Sequence, residues 1–167
     1  MWRASIDAGS PLGAVPVGIE ALSILRAEKG YLIIGKDTDG ETMPHDLGFN
    51  APREKKREAF IGDRSLHSAK ANAKTRKSLV GLMLSPDDPP LKTGAHVISS
   101  NNTSRSIGYV TSSYVSPCLG HPIALGMVEG GADRIGDTVN VWHQDISRQA
   151  TLCSPCFLDP EGNRLHA

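Results

Sequence analysis

Between Gly18 and Lys29 apolar residues recur at helical spacing, with Ile19, Leu22 and Leu25 at every third position and Ala21 and Ile24 widening the stripe. This pattern predicts an amphipathic helix able to bury one face against a sheet. Glu20 suits the positive end of that helix and Lys29 the negative end, and Gly30 can take the left-handed conformation that stops it. The apolar run Tyr31 to Ile34 then reads as a buried strand ending at Gly35. From Lys36 to Phe49 the residues Asp37, Asp39, Gly40, Glu41 and Pro44 predict a polar connection. Ahead of the helix, Ala8 to Pro16 is rich in Gly and Pro and reads as irregular. Asp63 can cap a short helix through Ser65, Leu66 and Ala69, and the Ala- and Lys-rich stretch to Lys77 reads as a link.

Beyond that link the helical period disappears. Short apolar segments around residues 78–84, 95–99, 106–113, 123–128, 138–142 and 148–153 alternate with turn residues such as Pro86 to Pro90, Asn101-Asn102, Gly120, Gly130-Gly131 and Gly136-Asp137. Such spacing predicts an antiparallel barrel or sandwich. The expected fold class is therefore α+β, a partial α/β region over residues 1–74 followed by an antiparallel β barrel over 75–167.

Composition narrows the partners. Hydrophobic residues make up 39% and charged residues 22% of the 167, and 18 Lys and Arg balance 18 Asp and Glu. A folded chain with no global field to attract nucleic acid or an anionic membrane is expected. The longest apolar runs, Tyr31 to Ile34 and Pro122 to Val128, are far too short to span a bilayer, and the N-terminus lacks a basic-then-apolar signal stretch. A cytoplasmic location follows as the expectation. The three cysteines, 118, 153 and 156, are an odd number and suit a reducing compartment. Cys153-Ser154-Pro155-Cys156 sits beside Pro160 and Gly162 rather than at a helix start, and no second ligand pair accompanies it, so neither redox chemistry nor zinc is expected there. The six histidines show no close pair with metal-ligand spacing.

The order of several segments carries more. Gly18 to Gly30 with its Arg-Ala-Glu-Lys-Gly ending, Gly35-Lys-Asp-Thr-Asp-Gly40, Phe60-Ile-Gly62, Leu79-Val-Gly-Leu82, Ile107-Gly-Tyr-Val-Thr-Ser-Ser113, Ser116-Pro117, Ile123 to Val128 and Phe157-Leu-Asp-Pro160 follow one another along nearly the whole chain. This ordered set resembles the aminomethyltransferase family, which includes the glycine-cleavage T-protein and the folate modules of sarcosine- and dimethylglycine-oxidising enzymes. Arg26 to Gly30 and Asp37 to Gly40 resemble the alpha-subunit branch of the heterotetrameric sarcosine oxidases more than the T-protein branch, which has an Arg-Leu-Glu-Ala-Gly type of sequence at the first of these positions.

The resemblance implies a C-terminal segment of a tetrahydrofolate-dependent module that passes one carbon from an oxidised N-methyl amine to tetrahydrofolate. It places flavin and NAD in other parts of the parent enzyme, in keeping with the lack of any Gly-x-Gly-x-x-Gly stretch here. It also implies an upstream half-module that supplies an acidic pterin contact and a catalytic aspartate, so this chain is expected to begin after them, as a fragment or as a separately encoded short relative. Its expected partners are that missing half or other oxidase subunits, together with folate. The alternative is a noncatalytic structural or subunit-interaction domain of the same family.

Folate brings an anionic tail and a pterin rich in donors, so cations, aromatic faces and carboxylates are the residue types of interest. Arg26, Asp37 and Tyr109 are the candidate cofactor-binding residues. Each has a plainer alternative. Arg26 can form a helix-end ion pair with Glu28, Asp37 or Asp39. Asp37 and Asp39 beside Gly40 are residue types that form turns, and Tyr109, like Tyr114, can pack in a core or stack on a ring. Arg53, Lys55, Lys56 and Arg57 could attract a polyglutamate tail, although Glu54 and Glu58 weaken their field. No catalytic residue is assigned.

Overall fold

The computed structural model of the chain describes residues 1–49, 58–99 and 102–165, so the charged run at 53–57 and the turn residue Asn101 lie outside the described residues. Six strands close into an antiparallel barrel: β1 (Lys77–Met83), β2 (His96–Ser99), β3 (Asn102–Ser116), β4 (His121–Glu129), β5 (Thr138–His143) and β6 (Ile146–Cys153). Their order around the barrel is β1-β4-β3-β2-β5-β6, with β6 returning to β1. All six expected strands are present, and the turn residues at Pro86 to Pro90, Gly120, Gly130-Gly131 and Gly136-Asp137 lie between them, whereas Asn102 is the first residue of β3.

Period-2 alternation divides the strand residues between two cores. Val80, Leu82, Val97, Val110, Ala124, Val128, Val139, Val141 and Leu152 fill the barrel interior. Leu79, Ile123, Leu125 and Met127 point outward into a second cluster with Ala27, against which Leu47, Tyr109, Tyr114 and Phe157 pack. β4 is thus buried on both faces, which explains why Pro122 to Val128 is continuously apolar rather than alternating.

The outer cluster is covered by helix α2 (Ile19–Glu28) and by the connection that follows it. Helix α1 (Trp2–Gly9) precedes α2, has no buried residue and meets the segment expected to be irregular, Ala8 to Pro16, only at its last two residues. A one-turn helix α3 (Asp63–Leu66) lies before the barrel, with Gly62 rather than Asp63 at the cap position. None of the described helices is long and apolar enough to cross a membrane.

Two expectations are corrected here. The stripe of α2 does not bury: Ile19 is 84% and Leu25 51% exposed, and the helix presents Arg26, Ala27 and Glu28 to the barrel instead. Tyr31 to Ile33 is irregular and Ile34 opens a turn, so no strand forms there, and Ile34 is 77% exposed. The reason is local competition for backbone groups. Arg26 donates to the Tyr31 carbonyl, Asp37 accepts from the Ile33 amide, and the Asp37 amide donates back to the Ile33 carbonyl, leaving no free ladder edge.

Candidate functional site

Arg26 and Asp37 meet at the centre of the outer layer. Arg26 Nη1 donates to Asp37 Oδ2 at 2.6 Å, with Asp37 at 0% and Arg26 at 8% exposure. Its second Nη donates to the Ser112 hydroxyl. The other carboxylate oxygen of Asp37 accepts from the Thr111 hydroxyl and, at 3.2 Å, from Ser112. Two adjacent strand residues ordinarily point to opposite faces. Here the β3–β4 register slips between Val110 and Ser112, and that bulge accounts for both hydroxyls reaching one carboxylate. The result is a buried knot tying helix, connection and barrel together.

A second tie lies next to it. The Glu28 carbonyl accepts from the amides of Phe157 at 2.9 Å and Leu158 at 3.0 Å, and the Glu28 carboxylate accepts from Ser116 at 2.5 Å. Lys29 pairs with Asp159 at 3.2 Å. Segments far apart in sequence, around positions 26–30, 37, 111–116 and 157–159, therefore converge on one face.

Beside the knot opens a cleft of about 460 Å³, lined among others by Asp39, Glu41, Arg76, Lys77, Arg105 and Tyr109. Most of its charges are paired, Arg76 with Asp46, Lys70 with Glu41 and Arg105 with Glu129. The Lys77 ammonium lies 5.2 Å from the centre of the Tyr109 ring. Burial, reinforced by Asp39 and Asp37, pushes the Tyr109 phenol above its usual range, so it remains a hydrogen-bond donor at neutral pH. Asp39 is held below the usual carboxylate range by the Thr42 hydroxyl and the Glu41 amide, and remains an anion.

Of the three candidate residues, the structure brings Arg26 and Asp37 into direct contact and places Tyr109 at the cleft. The ion-pair alternative for Arg26 is realised with Asp37. Asp37 is buried and also holds the turn at 34–37 by accepting from the Ile33 amide, and Asp39 holds a turn through Glu41 and Thr42. Sequence reasoning missed Thr111 and Ser112, whose role depends on a bulge with no local signature, and gave Lys36 and Lys77 no role beyond bounding a connection and a link.

All three cysteines are free thiols, and no group of three His, Cys, Asp or Glu side chains placed to hold a metal ion occurs among the described residues. Burial pushes the Cys153 thiol up to about 11. At pH 8, iodoacetamide is expected to label exposed Cys118 well before Cys153, as read by peptide mass spectrometry. Equal labelling rates would contradict this burial.

Comparison with known proteins identifies the architecture. Residues 77–159 match the family model for the glycine cleavage T-protein C-terminal barrel domain, and residues 1–55 match that for the GCVT N-terminal domain. The chain is 36% identical over 168 residues to the sarcosine oxidase subunit alpha of Rhizobium meliloti, covering 98% of this chain but 17% of that relative. It is 34% identical to an aminomethyltransferase of Halothermothrix orenii, covering 84% of this chain and 38% of the relative. The fold matches the crystal structure of the glycine cleavage system aminomethyltransferase T from Bartonella henselae with a TM-score of 0.73, at 24% identity, over 85% of this chain and 39% of that one. With both family models matched in succession along most of its length, the chain belongs to the aminomethyltransferase (glycine-cleavage T-protein) family.

Proposed function

We propose that this chain supplies the helix-and-barrel part of a tetrahydrofolate-dependent, sarcosine-oxidase-type module, which passes one carbon from an oxidised N-methyl amine to tetrahydrofolate. The observation that carries this reading is the alignment of 98% of the chain with a sarcosine oxidase alpha subunit. In this reading residues 1–74 belong to the folate-binding region and 75–167 to the barrel. Flavin and NAD are held by other parts of the parent enzyme, and the assembly works in the cytoplasm.

The residues present fit one wall of a folate site. Tyr109 offers an aromatic face and a phenol donor at an open cleft, and Lys77 supplies a cation beside it. Arg26 and Asp37 act by fixing the connection that carries Asp39 to the cleft edge, since both are buried in each other's company. Tetrahydrofolate, when bound, supplies the nucleophilic nitrogens. The chain's own residues bind, orient and hold protons around it, which is where much of the rate of such a transfer arises.

Exposed Ile19, Leu22 and Leu25 on α2, with Trp2, Leu12 and Val17 nearby in sequence, support a partner layer over this face. That layer is the rest of the folate module or another oxidase subunit. The same surface favours the second reading, a noncatalytic packing domain.

Calorimetric titration of the chain with tetrahydrofolate, run beside oxygen uptake with sarcosine, tests the proposal. Weak saturable binding without oxygen uptake is expected, because one wall orients folate poorly and no dinucleotide fingerprint is present. No saturable binding would favour the packing-domain reading, and uptake dependent on the chain alone would overturn the division of labour.

A further inference from the structure

On the other side of the knot from Tyr109 lies an unbalanced group of donors. Lys36, exposed in the turn at Gly35 to Thr38, donates to the Tyr114 hydroxyl at 3.1 Å, with its ammonium 5.5 Å from the ring centre. The Arg26 guanidinium lies 6.0 Å from the same ring, and its buried Nε has no acceptor. Asp37 already engages Arg26, Thr111, Ser112 and the Ile33 amide. Among the described residues, no carboxylate stands within ion-pair distance of Lys36.

Resting on the folate reading above, we propose that Lys36 and Tyr114 form a carboxylate-binding contact that receives the anionic glutamate end of the ligand. The pair offers one ammonium and one phenol proton, two donors side by side for the two oxygens of a carboxylate. With the Tyr114 oxygen accepting from Lys36, its own proton is free to be donated outward. The geometry is held from beneath. Asp37 anchors the turn through the Ile33 amide, Thr38 accepts from the Gly35 amide, and Tyr114 packs on the outer cluster.

Exposed Ile33 and Ile34 stand in the same turn, so the surface suits a carboxylate attached to an apolar or aryl body better than a bare ion. β3 is bulged between Tyr109 and Tyr114, and their β4 partners Met127 and Ile123 stand four residues, about 13 Å, apart along the strand. The two tyrosines thus mark opposite ends of an elongated site passing over the knot. A surface cation stacked on a tyrosine can also be a purely structural pair, and the test separates the two.

The chain, labelled for NMR, is titrated with p-aminobenzoylglutamate and, as a neutral comparison, with p-aminobenzamide. Saturable shifts at Lys36 and Tyr114 are expected with the first and not with the second. Lys36→Gln is expected to weaken binding about tenfold, the usual effect of losing one charge-assisted hydrogen bond. Tyr114→Phe, which keeps the ring and loses the proton, weakens it several-fold, and Lys74→Gln leaves it unchanged. Unaltered amide spectra verify that the variants fold. No shifts at these residues, or equal affinity for Lys36→Gln, overturns the proposal.

Titrating the same samples with tetrahydrofolate separates the two readings. Folate binding unaffected by Lys36→Gln sinks this contact and leaves the folate function standing. Carboxylate binding at Lys36 with no gain from the pterin sinks the folate function and leaves the contact standing.

Discussion

Replacing Asp37 with alanine is expected to destabilise the fold by about 3–5 kcal/mol, the cost of leaving a buried charge without its partner. The carboxylate is inaccessible and accepts from Arg26, Thr111, Ser112 and the Ile33 amide, so its removal leaves the buried Arg26 guanidinium without a counter-charge. Asp39→Ala, two residues away and exposed, is expected to change stability by no more than about 0.5 kcal/mol. Urea unfolding of both variants measures the contrast as a shift in midpoint at constant slope. The double variant Arg26→Met with Asp37→Leu is expected to recover part of the loss, because it removes the unpaired charge itself. If Asp37→Ala unfolds at the wild-type midpoint, the knot does not hold the helix on the barrel.

Gly30→Ala is expected to cost about 2 kcal/mol or more, for two independent reasons. Gly30 has φ of +72°, a left-handed conformation that costs an L-residue about 1–2 kcal/mol. A Cβ there would also stand 2.6 Å from the Pro155 carbonyl oxygen, and this obstacle is backbone and cannot swing aside. The strap 155–159 must then lift, loosening its bonds to the Glu28 carbonyl. Gly35→Ala supplies the control: its φ is +83°, but nothing lies within 4 Å of the added carbon. The difference in unfolding midpoint between the two variants isolates the contact with the strap. Equal midpoints would mean that the strap does not close over the helix end.

Most of the barrel was legible in the sequence because its apolar segments are set off by Gly, Pro or Asn turns, while β4 reads as one continuous apolar run because it is buried on both faces. The helix at 19–28 was legible too, but its stripe misled. Ile19, Leu22 and Leu25 mark an apolar face without saying what covers it, and the barrel instead receives the last turn, where two charged residues are buried. Tyr31 to Ile34 has strand composition, yet the fold of that segment is decided by Asp37 four residues on and Arg26 five residues back. Single-residue patterning does not register such side-chain capture of the backbone. Arg26, Asp37 and Tyr109 were all singled out in the sequence. What joins the first two to the barrel, a bulge at Thr111, depends on pairing between β3 and β4 and has no signature in either strand alone.

The folate-binding role proposed for this chain can be tested within a related enzyme. The direct measurement is a segment exchange. The Rhizobium meliloti sarcosine oxidase alpha subunit, 36% identical over 168 residues, receives this chain in place of its matching segment. Amine oxidation is followed by oxygen uptake, and the fate of the one-carbon unit is followed as free formaldehyde against folate product. The exchanged enzyme is expected to oxidise sarcosine and to divert carbon to tetrahydrofolate, and Tyr109→Ala within the exchanged segment to lower this diversion without slowing oxygen uptake. An exchanged enzyme that folds and oxidises sarcosine, yet releases the same formaldehyde with or without tetrahydrofolate, would contradict the folate-binding role.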